Sequence, residues 1–309
     1  MLLSTCLDIA SEGTAAESLA AYEARVATIE RVGPDIVLVG REIDGAIVPP
    51  RLEALLTLPW LAGRISNALL VGVIPALHAV PFHVARALSA IDFLNDGRTG
   101  WMPVWHRHAE IDRAYGPSYA VASDEIAPKH DDFIKATQAL WDSWDGDALV
   151  IDKASGIYLD SDKVRRVDYR GPYFSTMGSL NAARPPQGHP VLVRDLVAGD
   201  EASTVRADIT LLGGDTATVE REANRLKAEP GLVLVKTQIR GEETGMPLDR
   251  ALALVADGIV DGIHLVGQPS ESDLAAVRAS AVRPAANGTA RAALGLPTPV
   301  NPYTERAFA

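Results

Sequence analysis

The chain has 309 residues, 47% of them hydrophobic and 22% charged, which is typical of a globular protein large enough for one sizeable α/β domain. Its formal net charge of −11 argues against nucleic acid or an anionic membrane as a partner, because both attract clustered lysine and arginine. The single cysteine, Cys6, excludes an intramolecular disulfide and a cysteine-based metal cluster, and with neither a signal peptide nor a membrane-spanning apolar run expected, we predict a cytoplasmic protein.

Short apolar runs alternate with amphipathic helical segments along the whole chain. The apolar runs predict strands at 2–6, 35–39, 68–74, 100–105, 190–194, 208–212, 232–239 and 262–266. Helical patterns predict helices at 14–32, 51–61, 82–94, 124–144, 202–206 (a weak pattern), 217–228, 247–258 and 271–279. Strands that are apolar throughout, without alternation, indicate a parallel sheet buried on both faces.

Eight strand–helix units in about 280 residues are the count of a (β/α)₈ TIM barrel. An open, doubly wound sheet is the alternative, although the usual dinucleotide fingerprint is absent after the first predicted strand. We expect a single domain over 1–309, with an insertion at 146–188 between the fourth helix and the fifth strand. The tail at 287–309, rich in alanine and proline, is expected to wrap the surface.

The segment 140–193 has an unusual order of features. A helix end with two tryptophans leads into a polar excursion, a paired-strand segment at 167–175, a Pro-Pro-Gln-Gly turn and a buried strand. This segment, with 81–101, 261–265 and 293–299, resembles the bacterial-luciferase-like flavin-dependent monooxygenases, in the branch of the nitrilotriacetate, dibenzothiophene-sulfone and pristinamycin enzymes. The resemblance implies a luciferase-like barrel that binds reduced FMN, or a deazaflavin, at its C-terminal mouth. It also implies oxygenation of a small organic substrate with O₂ and a separate reductase that supplies the flavin.

Compared with that family, this chain has different residues at the expected flavin contacts, and much of the family's long segment before the last strand is missing. Arg41 stands where strand two ends in an Asp in the family, and either binds an anion or forms a surface ion pair. Trp105 and His106 replace polar residues at the end of strand four, and Trp105 either stacks on a ring system or only packs. His130, preceded by Lys129, falls at a family flavin-contact position.

The phosphate-binding turn of the family is not recognisable after strand five. The family has Gln-Ala-Gly-x-Ser there, whereas this chain continues from Arg194 and Asp195 into an acidic stretch that would repel a phosphate. Arg194 either compensates or pairs with Asp195. Gly213-Gly214 either lets the backbone approach a ligand or forms a plain turn. The 267–270 turn either binds a phosphate or only caps the last helix through Ser270.

We therefore predict cofactor contacts from Arg41, Trp105, His106, His130 and Arg194 and leave the catalytic residues unassigned. A metal site built from His106, His108 and His130 is not predicted, because their spacing lacks a helical ligand pattern. The favoured function is a flavin-dependent monooxygenase. The alternative is a non-catalytic homologue without flavin, either a partner subunit or a barrel that binds a small anion through Arg41, Lys129 and Arg194. We expect a homo-oligomer (a dimer) or a heterodimer with an intact homologue.

Overall fold

The computed structural model describes residues 1–8, 14–40, 52–105, 113–116, 121–196, 204–228, 230–239, 245–267, 269–281 and 288–304. Its strands are β1 (Leu2–Leu7), β2 (Ile36–Val39), β3 (Leu69–Pro75), β4 (Thr99–Val104), β5 (Leu149–Asp152), β6 (Ile157–Leu159), β7 (Arg166–Arg170), β8 (Ser175–Gly178), β9 (Val191–Leu196), β10 (Ile209–Leu212), β11 (Leu232–Gln238), β12 (Met246–Pro247) and β13 (Gly262–Leu265). Its α-helices are α1 (Ala15–Val32), α2 (Ala54–Ala62), α3 (Pro81–Leu94), α4 (Ile126–Trp141), α5 (Thr216–Leu226), α6 (Leu248–Ala256), α7 (Glu271–Ala279) and α8 (Ala290–Ala293).

Eight parallel strands close into a barrel. Their order is β10-β9-β4-β3-β2-β1-β13-β11, and pairing of β10 with β11 completes the circle, while the short β12 adds to the end of β11. This confirms the predicted (β/α)₈ barrel, and each predicted barrel strand lies within two residues of an observed one. The weak helix expected at 202–206 is wrong in its described part, because residues 204–206 are irregular.

Side chains of the barrel strands alternate between the lumen and the helix layer, as the two-residue period of a strand requires. Leu2, Val71, Met102 and Val193 belong to the buried cluster that fills the lumen. Trp101 lies on the opposite face of β4 and packs edge-on against Trp141 of α4, with ring centroids 5.4 Å apart. The face on which a residue of a barrel strand lies therefore decides whether it can take part in a site inside the barrel.

Local signals set the helix boundaries. Thr14 and Glu17 form a capping box that starts α1, and Gly33, with a φ of 69°, ends it. Ser270 forms a capping box with Asp273 at the start of α7, which confirms the capping interpretation of the 267–270 turn. No described helix is long and apolar enough to span a lipid bilayer.

The 146–188 excursion consists of two hairpins, β5–β6 and β7–β8, and the second one contacts α4. Asp132 of α4 holds this contact, because its carboxylate accepts hydrogen bonds from the backbone N–H groups of Tyr173 (2.8 Å) and Phe174 (2.7 Å) and from the hydroxyl of Tyr169. A Cβ at Gly171 would lie 1.7 Å from the same carboxylate, so only glycine fits there. The paired strands expected at 167–175 are confirmed, whereas the β5–β6 hairpin was not predicted from the sequence.

The C-terminal segment closes the N-terminal end of the barrel. Ala290 and Leu296 pack into the cluster that fills the lumen, so the expectation that this tail only wraps the surface is wrong for residues 290–296. Arg291, 6% exposed, donates to both carboxylate oxygens of Asp208 (2.8 and 2.6 Å) and to the carbonyl of His189 (2.8 Å). Arg291, which was expected on the surface with the rest of the tail, thus joins the tail to the segments that lead into β9 and β10.

Candidate active site at the C-terminal end of the barrel

Polar side chains occupy the lumen at the C-terminal half of several barrel strands. Ser4 of β1 and His264 of β13 are both buried, and Ser4 Oγ lies 2.8 Å from His264 Nδ1. Lys236 of β11 lies directly beside His264 in the strand register. TIM-barrel enzymes place their sites at the C-terminal strand ends, so we treat this row as the candidate site.

Lys236 spans the end of one strand to reach another. Its Nζ lies 2.6 Å from the carboxylate of Asp195 on β9, and both side chains are largely buried, at 16% and 5% exposed. The ammonium passes over Gly213, which follows β10, and a Cβ at that position would lie 2.9 Å from Lys236 Cε. Gly213, where the sequence left open a close approach of a ligand to the backbone, therefore makes room for the side chain of Lys236.

Two further groups complete the described part of the lumen mouth. The Cys6 thiol donates to the Gly40 carbonyl at 3.0 Å, which ties the ends of β1 and β2 together. Gln238, at the end of β11 and on the lumen face with Lys236, has a buried Oε1 that receives no hydrogen bond within the described ranges. A buried amide oxygen without a donor is costly, so it offers an acceptor to the N–H or O–H group of a ligand.

A second cluster lies on the outer face of the barrel wall, between β4, β9 and α4. The rings of Trp105 and His130 meet edge-on with centroids 4.0 Å apart, and the Arg194 guanidinium lies 5.5 Å from the Trp105 ring. Arg194 Nη1 also donates to the Val205 carbonyl at 2.8 Å. Burial is the main reason why the pKa of His130 falls from 6.5 to about 3, and the nearby Arg194 charge adds to it, so the imidazole is neutral.

This cluster lies at a seam in the barrel wall, by which we mean the part of the β4–β9 boundary beyond their short described pairing. The described pairing of β4 with β9 is limited to Gly100 with Val191 and Trp101 with Leu192, and Pro103 beyond it has no N–H to continue the ladder. His130 Nε2 lies 3.0 Å from the Pro103 carbonyl. Because a carbonyl only accepts, Nε2 carries the proton, and Nδ1 has no partner among the residues that the structure describes.

The structure thus brings together three of the five predicted contact residues. Trp105, His130 and Arg194 share one cluster, but it faces the helix layer, and only the half-buried Trp105 reaches the rim of the mouth. Arg41 and His106, like His108, fall outside the described ranges. The proposed pairing of Arg194 with Asp195 is wrong, because consecutive strand residues face opposite sides and Asp195 pairs with Lys236 instead.

The lumen row of Ser4, His264, Lys236 and Asp195 was not predicted from the sequence. Part of it had a visible signal: Leu232 and Leu234 set the lumen face of β11, and Lys236 and Gln238 follow on the same face at the period of two. The pairs that form between strands, Ser4 with His264 and Lys236 with Asp195, had no signal in the sequence, because they depend on the register of the closed barrel.

The model of the luciferase-like monooxygenase family matches residues 1–228 of the chain. One of the pristinamycin IIA synthase subunits from Streptomyces pristinaespiralis is 32% identical over 291 residues, which cover 92% of this chain and 91% of that relative. Dibenzothiophene-sulfone monooxygenase from Rhodococcus erythropolis is 35% identical over 156 residues, half of this chain, so the chain spans only about a third (34%) of that relative's length. The solved structure of EDTA monooxygenase from Chelativorans sp. BNC1 superposes with a TM-score of 0.78 over 96% of this chain and 98% of that one, at 17% identity, a likeness of fold alone.

Proposed function

Since this chain belongs to the luciferase-like monooxygenase family, we propose that it is a reduced-flavin-dependent monooxygenase acting on a small organic substrate with O₂. The family and the branch are those expected from the residues at 140–193. The observation that carries the proposal is the relationship to the pristinamycin IIA synthase chain, which extends over nearly the full length of both proteins. A barrel with a polar row at its C-terminal mouth supports it.

Two side chains at the described end of the barrel support binding of the ring system of a flavin. Gln238 offers a buried acceptor to a ring N–H, and Trp105 offers an aromatic face at the rim. The acidic turn after β9 lies outside the described ranges, so the proposal assigns the described residues to the ring alone. When bound, reduced flavin supplies the electrons that activate O₂, and the protein orients it and excludes water. The paired charges of Lys236 and Asp195 keep this part of the mouth electrically neutral.

We further propose that reduced FMN is the cofactor and that a separate reductase supplies it, as the family resemblance implies. The pristinamycin IIA synthase relative is, by its name, one part of a multi-chain enzyme, which supports a partner chain for this protein as well. The substrate is proposed only as a small organic molecule. Arg41, Trp105, His106, His130 and Arg194 remain the proposed contacts of the cofactor.

The test is an anaerobic titration of the purified protein with oxidised and then reduced FMN, followed by flavin absorbance and fluorescence. Saturable binding of the reduced form at micromolar concentration is the expected result. Trp105→Ala and Arg194→Ala should weaken it, whereas Trp60→Phe, on α2 where Trp60 stacks with Tyr22 of α1, should leave it unchanged. If neither form of FMN binds, the proposal fails and the non-catalytic homologue is the better description. Unchanged affinity in Arg194→Ala would remove that residue from the site.

A further inference from the structure

Arg25 of α1 carries a guanidinium group that is only partly paired. Its Nη1 donates to the carbonyl of Pro269 at 2.6 Å, in the turn that leads from β13 into α7. Its Nε and Nη2 are shielded from solvent and donate to no acceptor in the residues that the structure describes. A shielded guanidinium that uses one of its three nitrogens is costly unless an acceptor meets the other two.

The charge of Arg25 is also poorly balanced by its surroundings. Burial lowers the pKa of Arg25, because water solvates its charge poorly there. The two carboxylates at the start of α7, close to Pro269 in the chain, are engaged elsewhere: Glu271 accepts from Arg31 at 2.8 Å, and Asp273 accepts from the Ser270 hydroxyl at 2.6 Å. The positive charge therefore favours an anion from outside this turn.

Two hydroxyl groups of the same strand–helix unit are buried without a partner. Thr5 of β1 and Tyr22 of α1 are 0% and 3% exposed, and neither hydroxyl forms a hydrogen bond within the described ranges. Tyr22 lies one helical turn before Arg25, on the face of α1 that packs on the barrel. Thr5 points toward the helix layer, because it alternates with Ser4, which faces the lumen. Like the two nitrogens of Arg25, both hydroxyls can donate a hydrogen bond to an anion.

These groups lie at the C-terminal end of the barrel. Pro269 follows the end of β13, and Cys6, near the end of β1, lies close enough to Arg25 to act on its charge. β1 and β13 pair in parallel, so their C-terminal ends are adjacent. The turn after β13 is exposed at Gly267, where a Cβ would meet no atom within 4 Å. A ligand can therefore approach Arg25 from the side of the barrel mouth.

We propose that Arg25 anchors an anionic group, a carboxylate or a phosphate, of a ligand bound between the ends of β1 and β13. Nε and Nη2 form one edge of the planar guanidinium, so their two N–H groups match two oxygens of a single carboxylate or phosphate. The family's phosphate-binding turn is not recognisable in the sequence after β9, so an anionic ligand of this chain needs a different anchor. The identity of the ligand rests on the proposed function, which supplies two candidates: the phosphate of FMN and the acidic group of a substrate.

The experiment is thermal unfolding of the full chain with increasing inorganic phosphate at constant ionic strength. Phosphate that binds the folded protein raises the melting temperature, and we expect a saturable rise in the wild type. Arg25→Met keeps an unbranched apolar side chain without donors and should weaken phosphate binding at least about 10-fold, and Tyr22→Phe should weaken it by a smaller factor. Arg64→Met is the matched control, because Arg64 lies exposed over the Trp60 ring at the end of α2, and it should bind phosphate as the wild type does.

Titration with FMN and with riboflavin, which lacks the phosphate, identifies the ligand. If Arg25 holds the phosphate of FMN, the wild type prefers FMN to riboflavin and Arg25→Met loses that preference. If Arg25 holds the acidic group of a substrate, Arg25→Met keeps any preference for FMN and loses only the binding of inorganic phosphate. Both results support the anion site and differ in the molecule that occupies it.

Three results would overturn the proposal: no saturable rise in the wild type, equal phosphate affinity in the wild type and Arg25→Met, or a rise that appears only in Asp8→Asn. The last result would mean that the Asp8 carboxylate, next to the end of β1, neutralises Arg25 itself. Arg25→Lys keeps the charge but not the two-nitrogen edge, so it should also weaken phosphate binding, and it decides the matter if Arg25→Met does not fold. The phosphate readout needs no flavin, so its failure is distinct from a failure of the proposed oxygenase function.

Discussion

His130 makes the protein acid-sensitive, and its replacement by glutamine should remove that sensitivity. The imidazole is 4% exposed, packs edge-on against Trp105 and donates to the Pro103 carbonyl. Burial lowers its pKa from 6.5 to about 3. As the pH falls below 6.5 the unfolded chain takes up a proton at this residue while the folded protein does not, so stability falls with pH and the loss continues until the pH reaches the folded pKa.

The size of the effect at pH 5 depends on the unfolded state alone, since the folded imidazole stays neutral there. That pH lies about 1.5 units below the unfolded pKa, and each unit corresponds to about 1.4 kcal/mol, so the wild type should lose about 2 kcal/mol between pH 7 and pH 5 through this group. In a chain of this length that loss corresponds to about 3 °C in melting temperature.

The assay is thermal or urea unfolding of wild type and His130→Gln at pH 7 and pH 5 in the same salt. Glutamine can still donate to the Pro103 carbonyl but cannot ionise, so the variant should lack the pH-dependent loss of about 2 kcal/mol whatever its stability at pH 7. All other titrating groups are common to both proteins and cancel in the comparison. His83→Gln, at an exposed position on α3, is the control and should behave as the wild type does. Equal losses in wild type and His130→Gln would refute the reasoning.

Three further predictions concern other buried charged side chains, those of Lys236, Arg291 and Asp92. Lys236→Met should lower the free energy of unfolding by about 3–5 kcal/mol because it removes the ammonium that pairs with the buried carboxylate of Asp195, and adding Asp195→Leu should restore part of it, as measured by chemical unfolding. Arg291→Ala should cost at least about 3 kcal/mol in the same assay, and Arg291→Lys should not rescue it because an ammonium cannot bind Asp208 through two nitrogens. Burial raises the pKa of Asp92 to about 6, so the folded protein gains stability as the pH falls from 6 toward 4. Asp92→Asn should lose that gain, about 1.4 kcal/mol at pH 5, and a pH profile unchanged from the wild type would contradict it.

The barrel was predictable from the sequence because its signal is local. Each buried strand is a short apolar run followed by an amphipathic helix, so residues 69–75 and 209–212 are recognised without knowledge of their neighbours. The β5–β6 hairpin gave no such signal, since its apolar residues do not alternate and both of its faces are exposed. The C-terminal segment was misjudged for a related reason: Ala290 and Arg291 become buried only because the end of the barrel is open to receive them.

The site was predictable in part. Trp105, His130 and Arg194 were grouped from the sequence and do come together, but they were expected in the mouth and lie behind its wall. Their side of the wall follows from the alternation of side chains along β9: Val191 and Val193 face the lumen, which puts Arg194 on the helix side and Asp195 on the lumen side. The pairing of Asp195 with Lys236 joins residues 41 positions apart across an intervening strand, and only the closed order of the barrel creates it.

The C-terminal end of β9 links the two clusters, and this affects how a flavin titration is interpreted. Asp195 is held from the lumen by Lys236, while Arg194, one residue earlier, is held from the outside by Val205 and Trp105. The described pairing of β9 with β4 stops at Leu192, so Arg194 and Asp195 both lie beyond it on consecutive positions of the strand. A change at Arg194 can therefore act on the site through Asp195, and a loss of flavin affinity in Arg194→Ala does not by itself prove contact. Trp105→Ala is affected less directly, because Trp105 lies on the β4 side and does not contact Asp195, but its ring does contact Arg194. A loss of affinity in both Trp105→Ala and Arg194→Ala would therefore support a flavin against this wall, and a loss in Arg194→Ala alone would not.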